Sequence, residues 1–534
     1  MSAAPSSFRS SSLALSFAVL TVIVAAGIMT ACGSGGNTHR TTKLSGNTSV
    51  TVLLSSTAND QLADFGLGLT GITLTNQAGK VVTLFSVPSA TQQWAEFIHV
   101  NGTAEPLATL SIPQDVYTSA AVTLGDSYFT CVTQQSTGAL DISFYGYGTN
   151  PSNAPPTAIT VNLASPITIT GDSMGLALDL QVAQSASYSA CYEPDITSTW
   201  SITPTFNLSP ISLSPNPTNA QNGEIQNLMG EVTALGSGSF TLTMPNGSRT
   251  LSVATNGSTV YQGITDFSAI TVGLFVNLDA ALEGDGSLIA TRIGVVDPTA
   301  IDVVRGPSLQ VGEAEPAIPE QNTMIFNLAS QPPDEIPITW NYGIASSQFQ
   351  ISGAMNNLQS LPFVASFDQA NLVGGQSIFI TSQTIDYNAG VDPEATTVTL
   401  LPQMVNGTVI SSMPSGSFTD YTISLASDDL FPTLSVQPGQ ITLLNSPSVM
   451  DVYVDSNTQK LNTFALAPGS TLRFYGLVFN DNGALRMDCA QVNDGVTASS
   501  LTTTQNALRQ GDIQTVRQFA VGNSTHREIT RVRQ

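Results

Sequence analysis

The feature that most constrains this chain is an apolar alternation of period two, cut at short intervals by turn dipeptides. It is clearest from residue 228 to 296, where the runs 230–234, 239–244, 249–254, 271–280 and 287–295 are separated by turn signals such as Asn246-Gly247 and Asp285-Gly286. Successive side chains of a strand point to opposite faces, so the pattern reads as half-buried antiparallel strands. Five of them, with an irregular segment between the third and fourth, predict a small barrel of the OB type.

The same alternation begins at Asn47 and continues through about 160 residues of short strands, which predicts a β-sandwich. With 534 residues the chain is too long for one core. Echoes of the 228–296 pattern recur downstream. Gly230-Glu231-Val232 and Gly238-Ser239-Phe240 reappear as Gly407-Thr408-Val409 and Gly416-Ser417-Phe418. The turn ending in Gly273 reappears at Gly374 and again at Gly469. The expected order is a sandwich at 47–206, a Pro/Asn/Ser-rich linker at 207–227 and an OB-like module at 228–300. Loops over 301–325 then lead to an OB-like module degenerate at its front (323–403), a third (404–495) and a tail (496–534). The tail differs in kind: Leu508, Val516, Phe519 and Ala520 stand near helical spacing beside Arg509, Arg517, Arg527, Arg531 and Arg533. It predicts a partly helical, basic end, either solvated or touching anionic lipid or an acidic partner. The fold class expected is therefore all-β, with a short helical tail.

Two stretches resemble bacterial domains of unknown function. The order G-x-V-x-A, F-T-L, T-V-G and G-D-G-S-L-x-A-T-R-I, spread over 230–293, is similar to a widespread family taken to be OB-like. Residues 47–125, with a tight hairpin and then L-x-I-P-x-x-x-Y (Leu110 to Tyr117), resemble a domain found at the start of bacterial surface lipoproteins and related to transthyretin-like sandwiches. The second resemblance implies that Tyr117 packs back on the core beside Ile112-Pro113. Ser55-Ser56-Thr57 departs from that family's usual Asp-Ala-Pro.

The first 31 residues look like a secretory signal: Arg9, an apolar run from Leu13 to Ile28, then Met29-Thr30-Ala31 before Cys32. A cysteine after small residues resembles the bacterial lipobox, with Met29 in place of the usual Leu. That resemblance implies acylation at Cys32, a flexible tether at 32–46, and anchoring to the cell envelope, with Gly33 favouring the outer membrane. An uncleaved membrane helix is the other reading of the same run.

Charge excludes one class of partner. Lys and Arg number 15 against 38 acids, for a net charge of −23, and no Lys or Arg occurs between Lys80 and Arg249. A phosphate backbone needs clustered bases, so nucleic acid is not expected on the body of the chain.

Few residues suggest chemistry. Cys131 and Cys191 fall in one domain and suggest a disulfide in an oxidising compartment, with two buried thiols as the alternative. Cys489 alternates with Leu485 and Met487 as a core thiol does. Two triplets, Gly125-Asp126-Ser127 and Gly171-Asp172-Ser173, resemble the start of a serine-hydrolase motif. They lack a later Asp-x-x-His to act as base, and read as turn residues. The histidines are His39, His99 and His526, which with scattered cysteines give no zinc spacing. The acidic turns at 283–285 and 480–482 are too short to ligate calcium. Trp94, Tyr145, Tyr147, Trp200, Trp340 and Tyr342 are possible sugar-stacking rings; the pair Tyr145 and Tyr147 shares a strand face, with core packing as the alternative. No catalytic residue, metal or cofactor is assigned. The expectation is a non-catalytic envelope lipoprotein, tied to membrane by lipid and binding a glycan or another envelope protein. Rival readings are a hydrolase with paired carboxylates in an inter-module cleft, or a mechanical spacer.

Overall fold

The computed structural model describes most of residues 44–494 and the segment 518–520. The signal-like region and most of the tail lie outside the described residues, as do the connections 135–139, 148–156, 189–199, 212–224, 313–323 and 384–392 and some shorter ones. The described fold is almost entirely strand. Among the described residues no helix is long and apolar enough to cross a membrane.

Thirteen strands build the first domain: β1 (Asn47–Thr57), β2 (Leu62–Asn76), β3 (Val81–Ser86), β4 (Gln93–Glu96), β5 (Glu105–Pro113), β6 (Asp115–Gln134), β7 (Leu140–Tyr147), β8 (Thr157–Val161), β9 (Ile167–Ile169), β10 (Ser173–Gln181), β11 (Ala186–Tyr188), β12 (Trp200–Ile202) and β13 (Phe206–Pro210). One sheet runs β13-β10-β1-β5; the other is organised on β2 and β6, with β3, β4, β7, β8 and β9 beside them. Side chains from both sheets share one core, including Val50, Val52 and Leu54 of β1, Phe65 and Leu67 of β2, and Val122 and Phe129 of β6. This is the expected sandwich. Tyr117 is buried on that core and its hydroxyl donates to the Pro113 carbonyl at 2.9 Å, closing the turn between β5 and β6.

The remaining strands fall into three modules of one plan. The first holds β14 (Ile225–Leu235), β15 (Ser239–Thr243), β16 (Thr250–Ala254), β17 (Val260–Gln262), β18 (Phe275–Leu282) and β19 (Leu288–Val295). The second holds β20 (Ile301–Gly312), β21 (Met324–Gln331), β22 (Ile336–Gly343), β23 (Gln348–Ile351), β24 (Ser377–Gln383) and β25 (Ala395–Leu400). The third holds β26 (Gln403–Ser415), β27 (Phe418–Leu425), β28 (Val449–Val454), β29 (Gln459–Lys460), β30 (Thr471–Asp481) and β31 (Ala484–Asp494). The sheet orders are β16-β15-β14-β18-β19-β17, β22-β21-β20-β24-β25-β23 and β28-β27-β26-β30-β31-β29. In the outer two modules a parallel pairing, β16 with β19 and β28 with β31, closes the sheet into a barrel. In the middle module a single parallel bridge, Gly343 to Glu394, stands at that place. Three-two-one-four-five with strands three and five parallel is the OB arrangement.

The repetition reaches single hydrogen bonds. The first strand of each module carries a bulge at the same point, marked by register shifts after Val232, Ser308 and Val409. At that point Gly273, Gly375 and Gly469 donate their N–H to the carbonyls of Val232, Ser308 and Val409 at 2.8, 2.6 and 2.8 Å. All three glycines have φ close to +90°. A hydroxyl on each third-to-fourth-strand connection ties down the fifth strand: Thr259 to the Ala290 carbonyl, Ser347 to Ala395 and Thr458 to Cys489. The echo expected at Gly374 belongs one residue later, at Gly375.

Other boundaries also differ from expectation. Residues 301–312, expected as loop, are the first strand of the middle module, so that module is whole at its front. The expected linker contributes its first residues to β13 and its last to β14. Gln518–Ala520, expected near helical spacing, form a short strand paired with β7; a helical tail is not seen among the described residues.

The modules are fused rather than strung. Leu53, on the outer face of β1, enters the core of the first module. Tyr475, Leu477 and Phe479 on one face of β30 complete the core of the middle module, while Leu472, Phe474 and Val478 fill the third. A strand buried on both faces loses its alternation, which explains the unbroken apolar run in β30. Leu309 in the middle-module bulge and Leu434 in the short helix Leu430–Ser435 meet Ala63, Val132 and Ile142 of the sandwich. The sandwich, the middle module and the third module converge there.

Candidate functional site

Where the sandwich and the first two modules converge, five charged side chains lie in series. Glu96 ends β4, His99 follows in the next turn, Glu105 begins β5, Arg249 precedes β16, and Arg305 lies in β20. His99 Nδ1 is 2.7 Å from Glu96 Oε2, and its Nε2 is 2.7 Å from Glu105 Oε2. Arg249 reaches Glu105 Oε1 at 2.6 Å and Arg305 reaches Glu105 Oε2 at 3.0 Å. Arg249 also donates to the Pro106 carbonyl. Glu96 is cradled by backbone N–H groups of Phe65 (2.9 Å), Ile98 (2.6 Å) and His99 (2.8 Å).

An ionised carboxylate only accepts, so an imidazole with a carboxylate at each nitrogen must donate from both and is an imidazolium. Burial and the nearby Arg305 oppose that charge, but the bonds to Glu105 and Glu96 outweigh them and raise the His99 pKa. Burial likewise opposes ionisation of Glu105. Arg305 and Arg249, with the bond from His99, outweigh it and hold its carboxyl well below the usual range. Glu96 is lowered against the same burial by His99 and by the backbone donors. Glu105 is the hub: one carboxylate ties the sandwich to the first two modules, through partners 144 and 200 residues away.

A cleft of about 100 Å³ opens beside this series. Asp64, Glu96 and His99 line it from the sandwich, Arg305 and Gly375 from the middle module, and Met404, Asp429 and Phe431 from the third. It holds carboxylates at a junction between modules, the setting imagined for a hydrolase. Yet Glu96 spends its oxygens on backbone donors and an imidazolium, and its pKa moves down. A general acid requires the opposite shift.

Spacing alone could not have found this site, although two signals bear on it. Glu96-x-x-His99 is visible as an acid and a base three residues apart. Arg249 and Arg305 are also conspicuous in a body where Lys and Arg between 47 and 495 are confined to Lys80, Arg249, Arg292, Arg305, Lys460, Arg473 and Arg486. Arg249 and Arg305 pair with Glu105, Arg292 with Asp279 at 2.6 Å, and Arg486 with Asp481 at 2.8 Å. The scarce bases therefore act largely as internal staples.

The residues nominated from sequence are scattered. Tyr145 is 1% exposed and stacks on Phe129 at 5.0 Å, with Trp200 at 5.8 Å and Tyr188 at 6.5 Å. It belongs to the core and offers no face to a sugar. Tyr147 pairs through its backbone with Ser127; its side chain lies outside the description. Trp94 packs on Tyr128 at 5.2 Å, and Tyr342 is buried. Cys131 is disulfide-bonded; Cys191 and Cys32 lie outside the described residues. Cys489 is a buried free thiol whose pKa is pushed up by burial. Gly125-Asp126-Ser127, read as a turn, sits inside β6 beside a register shift, with Asp126 held by the Gln92 amide. Gly171-Asp172-Ser173 is the expected turn, entering β10. His39 and His526 lie outside the described residues. No metal-ligating cluster occurs among the described residues.

Two comparisons with known proteins bear on the chain. No curated protein matches it. Residues 229–294 match the family described as a domain of unknown function, DUF5666, and this span coincides with the first barrel module, whose strand order the two following modules repeat.

Proposed function

We propose that this chain is a non-catalytic binding or scaffolding protein of the bacterial cell envelope, anchored through a lipid on Cys32 and engaging a glycan or another envelope protein. Its sandwich is proposed to be of the transthyretin-like lipoprotein type, and the outer membrane is its proposed location. The lipobox-like leader, the low-charge composition and the disulfide-bonded Cys131 support an extracytoplasmic site.

The observation that carries the binding reading is an asymmetry among the modules. OB barrels hold ligands with the connections between strands one and two and between strands four and five. In the first module these are the tight turns between Leu235 and Ser239 and between Leu282 and Leu288; in the third they lie between Ser415 and Phe418 and between Asp481 and Ala484. In the middle module they are long, from Gly312 to Met324 and from Gln383 to Ala395. The middle barrel is thus the one equipped to bind, and the flanking barrels hold it in place. Commitment of Glu96 and Glu105 to the junction supports this reading over a hydrolase.

The test is a glycan array and an envelope pull-down with mature protein, repeated with residues 313–323 replaced by the Gly-Ser-Gly turn of the first module. Binding lost with unchanged thermal unfolding supports the reading. Retained binding, or turnover of a glycan substrate, overturns it. Labelled palmitate incorporated in wild type but not in Cys32→Ser tests the anchor.

A further inference from the structure

Asp488 lies on β31 at the seam between the middle and third modules. It is fully buried, and the charged group that acts on it is another carboxylate, Asp455. Its Oδ1 accepts from Asn357 Nδ2, of the middle module, at 3.0 Å. Two acceptor oxygens remain without a hydrogen-bond partner: Asp488 Oδ2 and Asn357 Oδ1. Orphaned buried acceptors are costly, and here they belong to the two side chains that already share a bond. One proton resolves both. A neutral carboxylic acid accepts at one oxygen and donates from the other, which is the complement of a primary amide.

We propose that Asp488 is carried as the neutral acid and closes a two-bond ring with Asn357, Nδ2–H to Oδ1 and Oδ2–H to the amide oxygen, so that one proton fastens the third module to the middle one. The surroundings agree. The titratable groups around it are Asp455, from the turn after β28, Tyr453, in register on β28, and the Cys489 thiol, next along β31 on the opposite face. Arg486, two residues earlier, is engaged by Asp481 and the Tyr453 hydroxyl. Leu477, opposite on β30, is apolar. Burial, reinforced by Asp455 and opposed by Asn357, pushes the carboxyl up to about 7.

The sign follows by linkage. Between its ordinary value of 3.8 and about 7 the folded protein holds a proton that the unfolded chain releases, so this contribution to stability falls as pH rises through that window. Asp488→Asn supplies the second donor permanently and keeps the ring. The experiment is amide hydrogen exchange at β30 and β31 of the full mature chain, wild type against D488N, from pH 5 to pH 8, beside the infrared spectrum of wild type labelled with carboxyl-¹³C aspartate. D488N is expected to gain on wild type progressively from pH 5 upward, by on the order of tenfold or more in the local opening constant at pH 8. The label is expected to show a buried neutral-acid band at pH 5–6 that disappears towards pH 8. A difference between the proteins that does not change with pH, or a D488N less stable at pH 8, overturns the proposal. Should D488N fail to fold, absence of the neutral-acid band in wild type overturns it alone.

Discussion

Replacing Glu105 with Gln tests whether the junction series holds the modules together. The side chain is 8% exposed and faces His99, Arg249 and Arg305 at 2.7, 2.6 and 3.0 Å. The amide cannot balance three cationic donors, and its NH₂ opposes one of them. Breaking a buried ion pair by removing one partner costs about 3–5 kcal/mol. At about 1.4 kcal/mol per tenfold, that is a hundred- to several-thousand-fold rise in the opening equilibrium. Unfolding of a chain this size is not expected to be two-state, so a local readout is preferable. Amide hydrogen exchange at β5, β16 and β20 reports opening of this junction directly. The effect should also depend on pH. His99 is raised above its ordinary 6.5, so its contribution is complete below 6.5 and is lost as pH rises through the folded value. Glu96 and Glu105 are lowered below 4.5, so theirs is complete above 4.5 and is lost as pH falls through the folded values. E105Q and wild type should therefore differ most between pH 4.5 and 6.5. Exchange changed less than about threefold in that window would refute the view that this network docks the modules. So would additive effects of E105Q, R249Q and R305Q, because side chains that share one hub are expected to couple.

Three further outcomes follow from the geometry. Alanine at Gly273 or Gly469 meets open space and suffers only the positive-φ penalty, about 1 kcal/mol, whereas Gly375→Ala also drives a Cβ to within 2.8 Å of Phe431. Denaturant midpoints should rank G375A well below the other two. Tyr117→Phe removes the bond to Pro113 and should destabilise the sandwich by about 1 kcal/mol by hydrogen exchange in β5 and β6, with β26–β31 unaffected. Peptide mapping under non-reducing conditions should recover Cys131 joined to Cys191, leaving Cys32 for acylation; a Cys32–Cys131 peptide would rule out both assignments.

The all-β class, the sandwich and the barrel at 228–296 were legible in the sequence because strand periodicity and turn chemistry are local. A residue's face is set by its parity, and a turn by its Asn, Asp or Gly. The module echoes were legible for the same reason, since Gly238 and Gly416 are needed wherever the same turn is made; both have positive φ. The slip of one residue at Gly374 arose because two adjacent glycines look alike until the bond to the Ser308 carbonyl selects Gly375. Residues 301–312 were misread because β20 is packed between modules and lacks a clean alternation.

What only the tertiary structure decided is the junction and the seam. Glu105 with Arg249 and Arg305, and Asn357 with Asp488, are pairs separated by 144, 200 and 131 residues. Their energetics depend on distance and burial in space, and neither quantity is written in the order of residues along the chain. Tyr145 makes the same point in reverse: its strand position was readable, but whether its exposed-looking face met solvent or the rings of Phe129 and Trp200 depended on β12 folding over it.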